Sequence, residues 1–178
     1  MSNTNIDDDN DVDLSGDGWI HKIVDQLKKD DTYRLSLTKK VSLDARQQAD
    51  LFKAIDASSV RELLLQGVDL TKSDEWQRVL KSSKITDLQL LDVQLCSNDA
   101  TFRALQANVA LQSLAVRFDD ECECRDAVLS LLSALSASST LTHLDLHIGL
   151  DFYGKLVEEI APLLATNLPV ISLKFNWS

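Results

Sequence analysis

The chain has 178 residues, and its 28 acidic side chains against 18 basic ones give a formal charge of −10. The composition, 44% apolar and 26% charged, is typical of a globular protein and excludes a wholly disordered or collagen-like chain. The sequence has no run of about 18 apolar residues and no leader-like N-terminus, so we expect no membrane association and a cytoplasmic or nuclear location. Cys96, Cys122 and Cys124 fit free thiols in a reducing compartment.

The acidic residues are concentrated at the N-terminus. Residues 1–18 carry six carboxylates and no base, which leaves 22 acids against 18 bases in the remainder. A run such as Asp7–Asp11 repels itself and buries no apolar area, so we expect residues 1–18 to form an acidic disordered tail. The remainder has no sizeable basic cluster, and we therefore expect no nucleic-acid partner.

A helix is predicted over residues 19–31, because its apolar residues recur at helical spacing: Trp19, Ile20, Ile23, Val24 and Leu27. From residue 32 onwards one phrase recurs, an apolar residue followed by x-x-Leu-x-apolar. Five clear copies and a weaker first one place their central leucines at Leu35, Leu63, Leu88, Leu114, Leu144 and Leu173. The spacings of 25 to 30 residues leave room for a helix after each strand.

Apolar residues recur with a period of two within the phrases and with a period of about 3.6 in the segments between them. This change of period is typical of strands that alternate with helices. Val128, Leu131, Leu132 and Leu135 form one such stripe. Acidic and hydroxyl residues suited to helix N-termini precede several of these stripes. We therefore predict an α/β chain of about six strand–helix repeats.

This pattern resembles the leucine-rich repeats, and the strand–helix alternation is similar to their ribonuclease-inhibitor-like class. The resemblance implies a horseshoe-shaped solenoid over residues 32–178, with a parallel sheet on the concave face and helices on the convex face. It also implies that residues 19–31 form an N-terminal capping helix. Members of this family bind other proteins, so we expect a non-enzymatic protein-interaction module.

Within each strand the leucines are predicted to point into the core and the alternate residues onto the concave face. Leu64, Leu91 and Ala115 then form an apolar centre with a polar rim. The predicted partner-binding residues are Arg34, Glu62, Leu64, Asp87, Gln89, Leu91, Arg117, His143, Asp145, His147 and Lys174.

Two alternatives remain open at this stage. His143, Asp145 and His147 lie on one strand face and could contribute to a metal-dependent site, although the two histidines stand four strand residues apart. The sequence stops directly after the last strand phrase, so either it is a fragment of a longer repeat array or the edge of this strand pairs with a second copy in a homodimer. The sequence contains no phosphate-binding loop, dinucleotide fingerprint or nucleophile elbow, and we predict no cofactor.

Overall fold

The computed structural model describes residues 2–6, 18–29, 32–38, 43–70, 75–82, 84–93, 99–118, 125–136, 138, 140–149, 158, 161–162 and 171–176. The strands are β1 (Ser2–Ile6), β2 (Thr32–Leu37), β3 (Glu62–Gln66), β4 (Asp87–Val93), β5 (Ser113–Phe118), β6 (His143–Gly149) and β7 (Ile171–Asn176). The helices are α1 (Gly18–Lys29), α2 (Ala45–Ala57), α3 (Glu75–Lys81), α4 (Asp99–Gln106) and α5 (Arg125–Leu135). Residues 158, 161 and 162 are also helical.

The strands form one sheet, in which the spatial order from β1 to β7 is the order along the chain. Every neighbouring pair is parallel. Neighbouring parallel strands need a crossover connection, and the intervening helices provide it. The sequence prediction of an α/β solenoid with a parallel sheet is confirmed.

The core lies between the sheet and a layer of helices that contact one another in chain order. The predicted central leucines of β2 to β6 are all buried, and they share one row of the sheet register: Leu35, Leu63, Leu88, Leu114 and Leu144. The helices contribute their apolar stripes to the same cluster, as where the rings of Phe52 and Trp76 pack 5.5 Å apart. Alternate strand residues are buried against this one helix layer. Among the described residues, no helix lies on the other side of the sheet, which we call the open face.

The N-terminal strand β1 departs from the sequence prediction. Residues 1–18 were expected to form a disordered tail, but Ser2–Ile6 pairs in parallel with β2. Ile6 stands at the register position of Leu37, so this segment completes a strand of the repeat pattern. Helix α1 therefore connects two strands, as the later helices do, and does not cap the end of the sheet. The acidic run of the expected tail lies in residues 7–17, outside the described residues.

The loops that lead from helix to strand are bonded to one another across repeats. The buried Asn108 side chain donates to the carbonyl oxygens of Leu80, at 2.7 Å, and Ser82, at 3.3 Å. Its oxygen accepts from the backbone N–H groups of Ala110 and Leu111 at 2.7 and 2.8 Å. One side chain thus satisfies backbone groups of two successive loops, which fixes the spacing between their strands.

Candidate functional site

The strand residues that alternate with the buried leucines lie on the open face. In β3 and at the start of β4 each residue of this set is half-buried while its neighbours are buried, as a sheet with one covered face requires. Because the strands are parallel and in register, these residues form rows that run across the sheet.

All of the predicted partner-binding residues fall into three such rows. The row at the amino ends of the strands contains Arg34, Glu62, Asp87, Ser113 and His143. The middle row contains Ser36, Leu64, Gln89, Ala115, Asp145 and Ser172. The row at the carboxyl ends contains Gln66, Leu91, Arg117, His147 and Lys174. The structure therefore brings the predicted residues of β2 to β7 together on one surface. The place of Lys174 on this surface follows from its register position.

The predicted apolar centre lies on β3, β4 and β5. Gln89 stands between Leu64 and Ala115 in the middle row, and Leu91 stands diagonally to both. All three apolar residues of this group are half-buried. We call Leu64, Leu91 and Ala115 the apolar centre from here on.

A β-bulge in β4 adds a residue to this surface that sequence analysis missed. Leu91 pairs with Arg117 and Val93 pairs with Phe118, so Asp92 is an extra residue between them. Strict alternation would turn Asp92 into the core and Val93 outwards. The bulge instead leaves Leu91 and Asp92 both half-buried and keeps Val93 buried.

The backbone of Asp92 is in the left-handed region, with φ 52°. Asp adopts this conformation more readily than most residues but at a cost that glycine does not incur. The preceding repeat has Gly67 at the equivalent position, with φ 65°, and it too is followed by a buried valine, Val68. Two adjacent repeats therefore share one local geometry with different residues.

The Asp92 carboxylate is held from both neighbouring strands. Arg117 of β5 donates from Nε to Oδ1 at 2.6 Å and from Nη2 to Oδ2, which forms a two-point fork. Gln66 Nε2 of β3 donates to Oδ2 at 3.4 Å. The Arg117 and Asp92 side chains remain 34% and 39% exposed, so the group is accessible from solvent. We call Gln66, Asp92 and Arg117 the clamp.

Other charged residues of the open face also contact partners on the same face. Arg34 Nε lies 3.7 Å from Glu62 Oε2, and Gln89 Nε2 donates to Asp87 Oδ1 at 3.4 Å. His147 Nε2 lies 3.6 Å from Asp145 Oδ1. Of these contacts, the one between Arg34 and Glu62 pairs two opposite formal charges, whereas the partner of Asp87 is a neutral amide.

The predicted metal-site residues do not converge. His143, in the amino-end row, has its Nδ1 3.0 Å from the hydroxyl of Thr142, whereas His147, in the carboxyl-end row, contacts Asp145 of the middle row. Among the residues that the structure describes, no group of three or more His, Cys, Asp or Glu side chains could hold a metal ion. The three cysteines lie outside the described residues.

A separate groove of about 410 Å³ lies on the helix layer, where α4 meets α5. Its lining combines apolar, hydroxyl and charged side chains from the two helices: Phe102, Arg103, Gln106, Leu129, Ser130, Ser133 and Ala134. None of the predicted site residues lines it, and it faces away from the open face.

Comparison with known proteins identifies the fold. The sequence matches no protein-family model and no curated protein. The solved structure of leiomodin-1 actin-binding site 2 is similar, with a TM-score of 0.59 and 18% identity over 82% of this chain and 87% of that chain. This likeness shows a leucine-rich-repeat-like solenoid fold. Of the helices that the structure describes, none is long and apolar enough to cross a membrane.

Proposed function

We propose that this chain is a non-enzymatic protein-interaction module that binds a protein partner on the open, concave face of its solenoid. The observation that carries the proposal is the apolar centre, Leu64, Leu91 and Ala115, which lies on three adjacent strands inside a polar rim. We also assign the repeats to the ribonuclease-inhibitor-like class, because each period of 25 to 30 residues contains a strand and room for a full helix.

The anatomy of the face supports a macromolecular partner. Stable protein interfaces combine an apolar core with a polar rim that remains accessible to solvent. The open face extends over six strands that carry predicted site residues, and strands in a sheet lie about 4.8 Å apart. A surface of this width fits a protein segment better than a small metabolite.

Actin is the first partner to test. The similar leiomodin-1 domain is named as an actin-binding site, and its likeness covers most of both chains. A cytoplasmic location follows from this choice of partner. Co-sedimentation with actin filaments and pull-down of monomeric actin test the choice; if neither form binds, actin is excluded, and the interaction with another protein remains to be tested by capture.

The general test is quantitative capture from a cell lysate with three forms of the chain. Leu64→Glu together with Leu91→Glu places charges in the apolar centre, whereas Val109→Glu changes an apolar side chain that is 71% exposed outside it. We expect the double variant to lose a captured protein that the wild-type chain and the Val109 variant retain. Equal capture by all three forms would contradict binding at the open face.

A second candidate function is self-association through β7. This strand pairs with β6 on one side, and no other strand among the described residues pairs with its other side. Parallel edge strands present unpaired backbone groups that a second chain can use. Sedimentation equilibrium should show a concentration-dependent increase in mass if this edge forms a dimer; a constant monomer mass would exclude it.

A further inference from the structure

Asp92 departs from the repeat pattern in a way that bears on the chemistry of the partner. The bulge adds it to the open face beside Leu91, and its left-handed backbone is one that Gly67 adopts in the preceding repeat. Glycine would meet this backbone requirement without a Cβ. An aspartate at this position therefore supplies something other than the turn, namely a carboxylate on the open face.

The contacts of the Asp92 carboxylate show that it holds the guanidinium group of Arg117 in place. Its two oxygens accept from Nε and Nη2 of Arg117, and a two-point fork fixes both the position and the plane of a guanidinium group. Gln66 contacts the same carboxylate from the other side. Gln66 and Arg117 are also the register neighbours of Leu91, so the clamp surrounds one side of the apolar centre.

Within the clamp, the Asp92 carboxylate compensates the positive charge of Arg117. Arg34 and Glu62 are likewise opposed at 3.7 Å on the other side of the apolar centre. A charged group of a partner would have to compete with these internal contacts. An uncharged group would not have to compete with them. A fixed carboxylate–guanidinium pair still offers both hydrogen-bond acceptors and hydrogen-bond donors to a peptide or amide group.

We propose that Asp92 is a positioning residue of the partner site: it neutralises and orients the Arg117 guanidinium beside Leu91, so that the open face takes an uncharged, apolar segment of a partner protein. This inference rests on the proposed function. The partner places apolar side chains on the apolar centre and peptide or amide groups beside the clamp.

The probe is a random-peptide phage library selected on the wild-type chain. We expect the selected peptides to be rich in apolar and amide side chains, to have a net charge near zero, and to lose binding to Leu64→Glu/Leu91→Glu. Their affinity should change less than about threefold between about 50 and about 500 mM NaCl, because no net charge is being paired. Selection of acidic or basic peptides with strong salt dependence would overturn the inference.

Variants at Asp92 test the positioning role itself. Asp92→Asn and Asp92→Gly remove the negative charge while keeping residues that tolerate a left-handed backbone. We expect both to bind the selected peptides about tenfold more weakly and to acquire affinity for acidic peptides that falls with salt, because Arg117 is no longer compensated. A merely structural role for Asp92 would not change the salt dependence.

Glu75→Gln provides a matched control, since Glu75 contacts Arg78 and Lys53 on the helix side. It should leave affinity and salt dependence unchanged. Peptides that depend on Leu64 and Leu91 but bind the Asp92 variants like the wild-type chain would overturn the positioning role alone. If no selected peptide depends on Leu64 and Leu91, the proposed function at this face is itself contradicted.

Discussion

Gly67 and Asp92 occupy equivalent positions in adjacent repeats, and both have a left-handed backbone, with φ 65° and 52°. Each follows a residue of the carboxyl-end row, Gln66 or Leu91, and these two residues are paired in the sheet. The Gly67 N–H donates to the carbonyl oxygen of Leu91 at 2.9 Å, which ties the two turns together. The same turn is thus built once with a residue that has no side chain and once with a carboxylate that holds Arg117.

Substitutions at Asp92 separate the contribution of its backbone conformation to stability from the contribution of its side chain. Asp92→Gly removes a fork worth about 0.2–1 kcal/mol at an exposed site but relieves backbone strain of similar size, so stability should change by less than about 1 kcal/mol. Asp92→Ala loses the fork and keeps a Cβ in the left-handed region. We expect it to be less stable than the Gly variant by about 1 kcal/mol in urea unfolding. Greater stability of the Ala variant would show that the turn is not left-handed in solution.

Leu90 and Leu91 are consecutive in the chain but face opposite sides of the sheet. Leu90 is buried in the core, so Leu90→Ala should cost about 2–5 kcal/mol of unfolding free energy. Leu91→Ala on the open face should cost less than about 1 kcal/mol. Chemical denaturation measures both, and similar losses would contradict the assignment of the two faces.

Asn108 is expected to contribute to stability out of proportion to its size. Its side chain makes hydrogen bonds to four backbone groups in two successive loops. Asn108→Ala leaves those groups unpaired in a buried site and should cost about 2–3 kcal/mol. Val109→Ala, at the exposed neighbouring residue, is the control and should have almost no effect on the melting temperature.

Zinc binding tests the alternative site around His143, Asp145 and His147. These residues do not converge on one point, and Asp145 with His147 supplies only two ligands of the usual four. Isothermal titration with zinc should therefore give no saturable heat assignable to this strand. A saturable signal that His147→Ala abolishes would restore the metal-site hypothesis.

The strand leucines and the sheet order could be predicted from the sequence because they follow a strict local pattern. Leu35, Leu63 and Leu88 stand in equivalent phrases and share one register row, although the spacing between phrases varies from 25 to 30 residues. In β7 the phrase does not give the register, because Leu173 pairs with Leu146 and Ile171 pairs with the central Leu144. The strand β1 was missed because Thr4 stands where β2 to β6 have leucine, so the sequence pattern assigned its segment to a polar tail.

The clamp could not be predicted in the same way. Alternation in β4 assigns Leu91 to the open face and Asp92 to the core, and only the bulge moves Asp92 outwards. A charged residue at a predicted core position, with a valine just after it, was the one signal of that bulge. Its contact with Arg117 depends on that bulge, which the repeated phrase does not encode, and not on the register of β4 and β5, which the phrase does give.

Site-specific photo-crosslinking tests the central claim most directly. Gln89 lies between Leu64 and Ala115 in the middle row, and a benzoylphenylalanine in its place would project from the apolar centre. The same probe at the exposed Val109 is the control. In a cell lysate we expect a defined crosslinked protein from position 89 and none from position 109; crosslinks from position 109 alone, or none from position 89, would contradict partner binding at the open face.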